Sequence, residues 1–413
     1  MITLIVNVFI FTLVFLYTIF SAYFISIFPH FNINFWLLLF GLLYFNFWFL
    51  SFFYLCRFGL FGVFLHSSVM VSLSFFKVIF PLHPLILLYP FADTFLPNSK
   101  NIFLNLFILF YLSGVLFCYG FLHFRIISFI IPLCFLLFMN NKTKEYEKTD
   151  LKIAIVQVGL YFEKGGTTKN FFNELLQFLK RHPEVNVVAF SENNFFSYKT
   201  DYNKVMSENL LIDIRKANLH QKLHLFLAFN AYRDFNNIVT LYKHKDLIYL
   251  NQKKTLIPFI EKPGFFNEKN ALNSHFFHIN ENHKNRIFEI MGNTVSTHIC
   301  YDALFPERVR TISDIVIIQS NYKLLDKGYG FNRLKLMATY LAKFVNGIHS
   351  QVVINIQNTG GTIVLFDGWR FDKDIYEKSK NEAFFVIDTS KCYQRCESGS
   401  SATWMEIFMP EGS

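Results

Sequence analysis

The chain has 413 residues, 53% hydrophobic and 17% charged, with a formal net charge of +9 and 55 phenylalanines. A soluble globular chain carries about 25% charged residues, so an ordinary water-soluble enzyme is excluded, and the chain is far too apolar to be disordered. The positive charge comes with no Arg-rich arm and no zinc-finger spacing, which argues against a nucleic-acid partner and leaves solvated Lys and Arg near anionic headgroups.

The charge is unevenly spread. Residues 1–140 hold only Arg57, Lys77, Asp93, Lys100 and Arg125. A helix needs about 20 apolar residues to cross the hydrocarbon of a bilayer, and 2–28, 34–56, 59–80 and 102–122 each qualify, with 126–139 as a short fifth span. Between the third and fourth, PLHPLILLYPFADTFLP is broken by four prolines and suits an interfacial or re-entrant segment. The first segment has no basic flank and more spans follow it, which argues against a signal peptide. Placing Arg57 and Arg125 on the cytoplasmic side gives five crossings. The rest of the chain then lies on the extracytoplasmic side of the membrane, although Lys142, Lys144 and Lys148 oppose that orientation. Cys56, Cys118 and Cys134 sit in apolar runs and are expected as packing residues. Cys392 and Cys396 are able to pair in an oxidising compartment.

From Lys152 the pattern changes. Residues 153–158, 185–190, 223–229, 294–300, 314–319 and 351–357 read as buried strands, and 169–181 and 332–345 have helical periodicity. Strands alternating with helices predict an α/β domain over 151–390. Residues 391–413 form a polar tail of no regular pattern.

Three strand ends carry reactive residues. Glu192 follows VVAF, Lys253, Lys254 and Glu261 surround a Pro-containing turn, and Cys300 ends TVSTHIC. Each alone is ordinary: a loop carboxylate, solvated lysines, a small core thiol. Together they supply a base, an electrophilic stabiliser and a nucleophile, which is what acyl transfer through a thiol requires. His298 lies two residues before Cys300 on the same strand face, where core packing is its expected role. His275 and His278 lack a third metal ligand and read as loop residues.

The order Glu192, Lys253, Cys300 resembles the Glu–Lys–Cys triad of the carbon–nitrogen hydrolase (nitrilase) superfamily. KIAIVQ is similar to its first strand. K-x-x-L-I-P-F-x-E, Lys253 to Glu261, is similar to a segment of the apolipoprotein N-acyltransferase branch and selects Lys253 over Lys254. ICYDALFPE and NTGGT resemble two later segments of that branch. Ile260 stands where that branch has Gly, Asp302 where it has Glu, and YFEKGG where it has an early Trp. Five spans stand in place of seven, and no final span follows the domain.

The resemblance implies an N-terminal α-helical transmembrane bundle (1–140) followed by an α/β nitrilase-like α-β-β-α sandwich. It implies an N-acyltransferase with Glu192 as general base, Lys253 as oxyanion stabiliser and Cys300 as nucleophile, supported by Glu261, Tyr301 and Asp302. The donor is then a membrane phospholipid and the acceptor the N-terminal amine of a diacylglyceryl-cysteine apolipoprotein, with no metal or organic cofactor. Two alternatives share the layout: a membrane-tethered amidase or nitrilase acting on a small C–N substrate, and a non-catalytic paralogue of the conjugal-transfer type.

Overall fold

The computed structural model describes residues 51–75 except 53, eight positions between 104 and 118, and 150–402 apart from 234–235, 258–260, 263–276, 278–286, 306–312, 323–332, 347–349, 367–369 and 391–400. The chain divides into two compact units, one built on residues 1–144 with 306–310 and 325–338, the other on 145–305, 311–324 and 339–413.

In the first unit, α1 (Gly59–Phe75) runs for 17 residues within the span expected at 59–80. Its Ser67 and Ser68 hydroxyls donate to the Val63 and Phe64 carbonyls at 2.9 Å, which satisfies them without water. Phe64 packs edge-on to Phe107 at 5.4 Å. A Cβ on Gly114 would lie 2.7 Å from Val63, so the segment around 114 approaches α1 closely. Cys56 and Cys118 form a disulfide. This corrects the expectation that they only pack: nothing in the apolar runs that hold them shows that two segments 62 residues apart bring the thiols together. Among the described residues no helix is long and apolar enough to cross a membrane. The spans expected at 2–28 and 126–139, Cys134, Cys392 and Cys396 lie outside the described residues.

The second unit is built on two sheets. The first has the order β12-β1-β2-β3-β4-β5, from β1 (Lys152–Val156), β2 (Val187–Phe190), β3 (His224–Phe229), β4 (Val239–His244), β5 (Leu247–Gln252) and β12 (Phe384–Asp388). The second has the order β13-β11-β10-β9-β8-β7-β6, from β6 (Ile287–Ile290), β7 (Asn293–Ile299), β8 (Ile315–Ser320), β9 (Val352–Gln357), β10 (Ile363–Phe366), β11 (Arg370–Asp372) and β13 (Ser401–Ala402). β1, β2 and β3 are parallel, as are β7, β8 and β9. All six strands expected from sequence are present. β13, a two-residue strand within 391–413, pairs with β11.

Alternation along the strands sets the layers. Ile153, Ile155, Val187 and Ala189 join Ile315, Ile317, Val352 and Ile354 in a core between the sheets. Ala154, Val156, Val188 and Phe190 point the other way, onto two helices. These are α3 (Thr168–Arg181) and α4 (Asp201–Lys216), which follow the short α2 (Val158–Glu163). α3 buries Phe171, Leu175 and Phe178 at helical spacing, and the Thr167 hydroxyl caps it by accepting from Asn170 N–H. On the far face of the second sheet, Asn355 Nδ2 donates to Thr339 Oγ1 at 2.8 Å, at the middle of a helix that ends at Asn346. The result is a layered α-β-β-α sandwich. Parallel strands buried on both faces read as continuous apolar runs, which is why these six were visible in the sequence.

Candidate active site

The loops that leave the C-terminal ends of β2, β5, β7 and β8 converge, the usual place for ligands in open α/β sheets. Two strand ends belong to one sheet and two to the other, so the sheets must be held in register. Polar side chains just below the loops do this. Gln319 Nε2 donates to the Phe190 carbonyl at 2.7 Å, and Gln319 Oε1 accepts from the Thr240 hydroxyl. Asn251 Nδ2 donates to Thr297 O at 3.1 Å and to Thr297 Oγ1 at 2.8 Å. Phe190, Asn251, Thr297 and Gln319 stand two or three positions before Glu192, Lys253, Cys300 and Asn321, and with Thr240 all are buried.

A second bracket closes the loop ends. Asn358, in the NTGGT turn, accepts Gly159 N–H at 2.7 Å and the Ser191 hydroxyl at 3.0 Å through Oδ1. A Cβ on Gly159 would lie 2.6 Å from the Asn358 side chain, so only glycine fits there. Thr362 Oγ1 donates to Gln157 Oε1 at 2.8 Å, which ties the first strand of the domain to the same turn. Asn193 then fixes the Glu192 loop. Its Oδ1 accepts from Phe195 and Phe196 N–H, and its Nδ2 donates to the Ser191 and Ala228 carbonyls.

The structure brings Glu192, Lys253, Glu261 and Cys300 together. Lys253 Nζ lies 3.2 Å from Glu192 Oε1 and 2.6 Å from Glu261 Oε1. The other oxygen of Glu261 accepts Ile257 N–H at 2.8 Å, and Glu261 N–H donates to the Ile257 carbonyl, which locks the turn. Lys253 is 1% exposed, Cys300 3% and Glu192 5%. Cys300 has φ 46°, the left-handed region that side chains other than Gly rarely enter. Such a position costs about 1–3 kcal/mol and persists only where surrounding structure enforces it. It turns the chain from β7 into the 3-10 turn Cys300–Leu304. The thiol lies within electrostatic reach of Glu192 and Lys253.

The electrostatics follow from burial. Desolvation pushes the Glu192 carboxyl up, partly opposed by the Lys253 charge. Desolvation also pushes the Cys300 thiol up, and Glu192 and Glu261 push it further, while Lys253 and the Asn321 backbone N–H pull it down. Burial alone would lower Lys253, but Glu192, Glu261 and Cys300 hold it well above its usual value. The resting site therefore disfavours thiolate and keeps the lysine charged. It can form thiolate only as a proton moves from Sγ to Glu192.

Tyr301 and Asp302 follow the nucleophile. Desolvation and the Glu261 charge raise the Tyr301 phenol, and its ring packs edge-on to Phe305 at 5.0 Å. Asp302 is buried. His298 is buried opposite Ile318 on β8. Ile260, His275 and His278 lie outside the described residues. Among the described residues no cluster of His, Cys, Asp and Glu could hold a metal ion. Sequence reasoning missed Asn321, Tyr322 and the polar layer. Tyr322 is buried within electrostatic reach of the thiol. The one available signal for the polar layer was a polar residue inside an otherwise apolar strand, as in IVIIQS and LIYLNQ.

No protein-family model and no curated protein matches the chain. Solved structures similar in fold include a carbon–nitrogen hydrolase from Helicobacter pylori, at 17% identity and TM-score 0.38, covering 64% of this chain and 96% of that one. A CN-hydrolase superfamily protein from Xanthomonas campestris is similar at 13% identity and TM-score 0.39, covering 64% and 98%. Glutamine-dependent NAD+ synthetase from Acinetobacter baumannii is similar at 15% identity and TM-score 0.35, covering 54% of this chain and 43% of that one. This chain therefore spans less than half the length of that synthetase.

Proposed function

We propose that the protein is a nitrilase-like membrane acyltransferase that moves an acyl chain from a phospholipid, through a thioester on Cys300, to the N-terminal amine of a diacylglyceryl-cysteine apolipoprotein. The observation that carries this is the buried contact of Lys253 with Glu192 and Glu261 beside Cys300, on a chain whose Lys253-to-Glu261 segment resembles the lipoprotein branch and whose first 140 residues are almost free of charge. In this proposal those residues form the membrane bundle, and the site faces the extracytoplasmic side.

In the first half-reaction the Sγ proton passes to Glu192 as sulfur attacks the ester carbonyl. The oxyanion that develops is stabilised by Lys253, whose charge the two carboxylates secure. When the tetrahedral centre collapses, the C–O bond breaks, Glu192 returns the proton to the departing glycerol oxygen, and the thioester remains. In the second, the acceptor amine attacks the thioester, Glu192 takes an amine proton, the C–S bond breaks, and the thiolate recovers that proton. Tyr301 and Asp302 shape the pocket behind the thiol. Protein charges account for every step, with no cofactor in the scheme.

The test is to incubate the detergent-solubilised full chain with a phospholipid labelled in the sn-1 acyl chain. Label should appear on the protein, be released by neutral hydroxylamine and be absent from Cys300→Ala. An unlabelled but folded protein would refute the lipid donor, and release of labelled fatty acid without transfer to an acceptor peptide would turn the assignment to hydrolysis.

A further inference from the structure

Glu192, Glu261 and Lys253 together leave one negative charge in excess next to the thiol when both carboxylates are ionised. An acyl donor that itself carries an anion is repelled by that charge unless a cation meets it at the entrance. Two cations stand on the loops that follow β2 and β3. Lys199 Nζ sits 3.4 Å over the Phe277 ring. Phe277 N–H donates to the Glu261 backbone carbonyl at 2.9 Å and the Glu261 charge acts on Lys199, so the Lys199 head sits near the residue whose carboxylate grips Lys253. Arg233 lies over the Tyr232 ring at 5.2 Å. Tyr232 packs edge-on to Tyr198 at 5.6 Å, and Tyr198 is the residue before Lys199. The nearby Glu208 is held by the Tyr198 hydroxyl at 2.8 Å. Lys199 and Arg233 are both exposed. Arg233 has φ 48°, like Cys300 in the left-handed region.

A cation resting on an aromatic face gives up rotamer freedom yet keeps part of its hydration. Two of them, joined through Tyr198, make a preorganised anion-binding edge rather than two mobile surface charges. We infer that Lys199 and Arg233 form a basic rim to the Cys300 site that takes an anionic group of the acyl donor, the phosphodiester of a lipid or the carboxylate of a small amide. The inference rests on Cys300 being the residue acylated, but not on the donor being a lipid.

The experiment compares alkylation of Cys300 by iodoacetate and by iodoacetamide in the full chain. The two reagents share a leaving group and differ in charge, so their rate ratio removes changes in thiol reactivity. Lys199→Gln should lower the iodoacetate-to-iodoacetamide ratio about three- to tenfold. Lys199→Arg should keep it within about twofold, and Arg233→Gln should lower it by less than Lys199→Gln. A ratio unchanged in Lys199→Gln overturns the rim, and so does failure of both reagents to label Cys300, because the rim requires an open approach to the thiol.

A second arm separates the anion sources. In non-ionic detergent, labelled phosphatidylglycerol should charge Cys300 faster than labelled diacylglycerol, and the preference should vanish in Lys199→Gln. If neither lipid charges the protein while the haloacetate ratio still falls in Lys199→Gln, the rim stands, the lipid reading falls, and the donor is a small anionic amide. If both lipids charge it equally and the ratio is unmoved, the lipid reading stands and the rim falls.

Discussion

The first sheet carries a lysine held by carboxylates at each end, and the two groups behave differently. At one end Lys152, which opens β1, pairs with Asp388, which closes β12, and with Asp150 at 3.6 Å. The Lys152 and Asp388 side chains are 22% and 16% exposed. Burial would raise Asp388, but the hydrogen bonds from Lys152 and Ser390 hold it below its usual 3.8. At the other end Lys253 is wholly buried, and the Glu192 and Glu261 side chains that meet it are 7% and 11% exposed. There desolvation wins for Glu192, and the thiol rises with it. The ingredients match, and water access decides the outcome. Where solvent reaches, a pair fastens two strands and each charge is nearly independent. Where it does not, each charge sets its neighbours, and a proton can be moved by changing one of them.

The largest expected effect comes from breaking the buried group. Lys253→Met leaves two buried carboxylates facing each other, and loss of one partner of a buried pair costs about 3–5 kcal/mol. Loss of an oxyanion donor lowers acyl transfer about 10²–10³-fold. Thermal unfolding and Cys300 charging should both show it, and a variant that melts with the parent would refute the burial argument. Glu261→Gln should split two readouts. The Glu261 charge raises the thiol, so iodoacetamide should label Cys300 faster in this variant at a fixed pH. Lys253 loses its firmest partner, so acyl charging should fall about tenfold. Parallel movement of the two rates would contradict the assigned geometry.

The smallest effect belongs to Lys152→Ala, about 0–1 kcal/mol by denaturant unfolding near neutral pH. Its sign with pH is fixed. Asp388 is depressed in the fold, so its contribution is present above the unfolded value near 3.8 and lost as pH falls through the folded value. Lys152 is raised above 10.5, so its contribution holds below that value and fades as pH rises through the folded one. The difference between variant and parent should therefore be confined between those limits. A constant difference at pH 2 would assign the effect to packing of the lysine stem instead.

Much of this architecture was legible because burial writes itself into sequence. Strands covered on both faces, such as IAIV and IVII, stand out as apolar β-branched runs, and α3 shows in the spacing of Phe171, Leu175 and Phe178. Glu192, Lys253, Glu261 and Cys300 were visible through the segments that hold them. β4 and β5 were not, because β5 exposes Leu247, Ile248 and Tyr249 and lacks a clean alternation. α4 mixes polar and apolar residues closely, and α5 (Lys373–Asn381) is largely charged outside its buried Ile375 and Tyr376. The polar layer of Gln319, Thr240, Asn251 and Thr297 was hidden for another reason. Its members come from four strands and acquire meaning only when two sheets meet. The Cys56–Cys118 link is hidden in the same way.

The pairing of β1 with β12 has a consequence for synthesis on the ribosome. β1 is an interior strand with β2 on one side and β12 on the other, and Lys152 meets Asp388 across 236 residues. Until residue 388 has emerged, β1 presents an unpaired edge, and the turn that Gln157 and Thr362 fasten is untied. Closing so long a loop is slow compared with forming local helices, although its entropic penalty grows only by about 0.6 kcal/mol per doubling of length. The loops that aim Glu192 and Cys300 at each other therefore become rigid late, only once residue 388 has been made. A nascent chain carries its nucleophile long before it carries the means to use it.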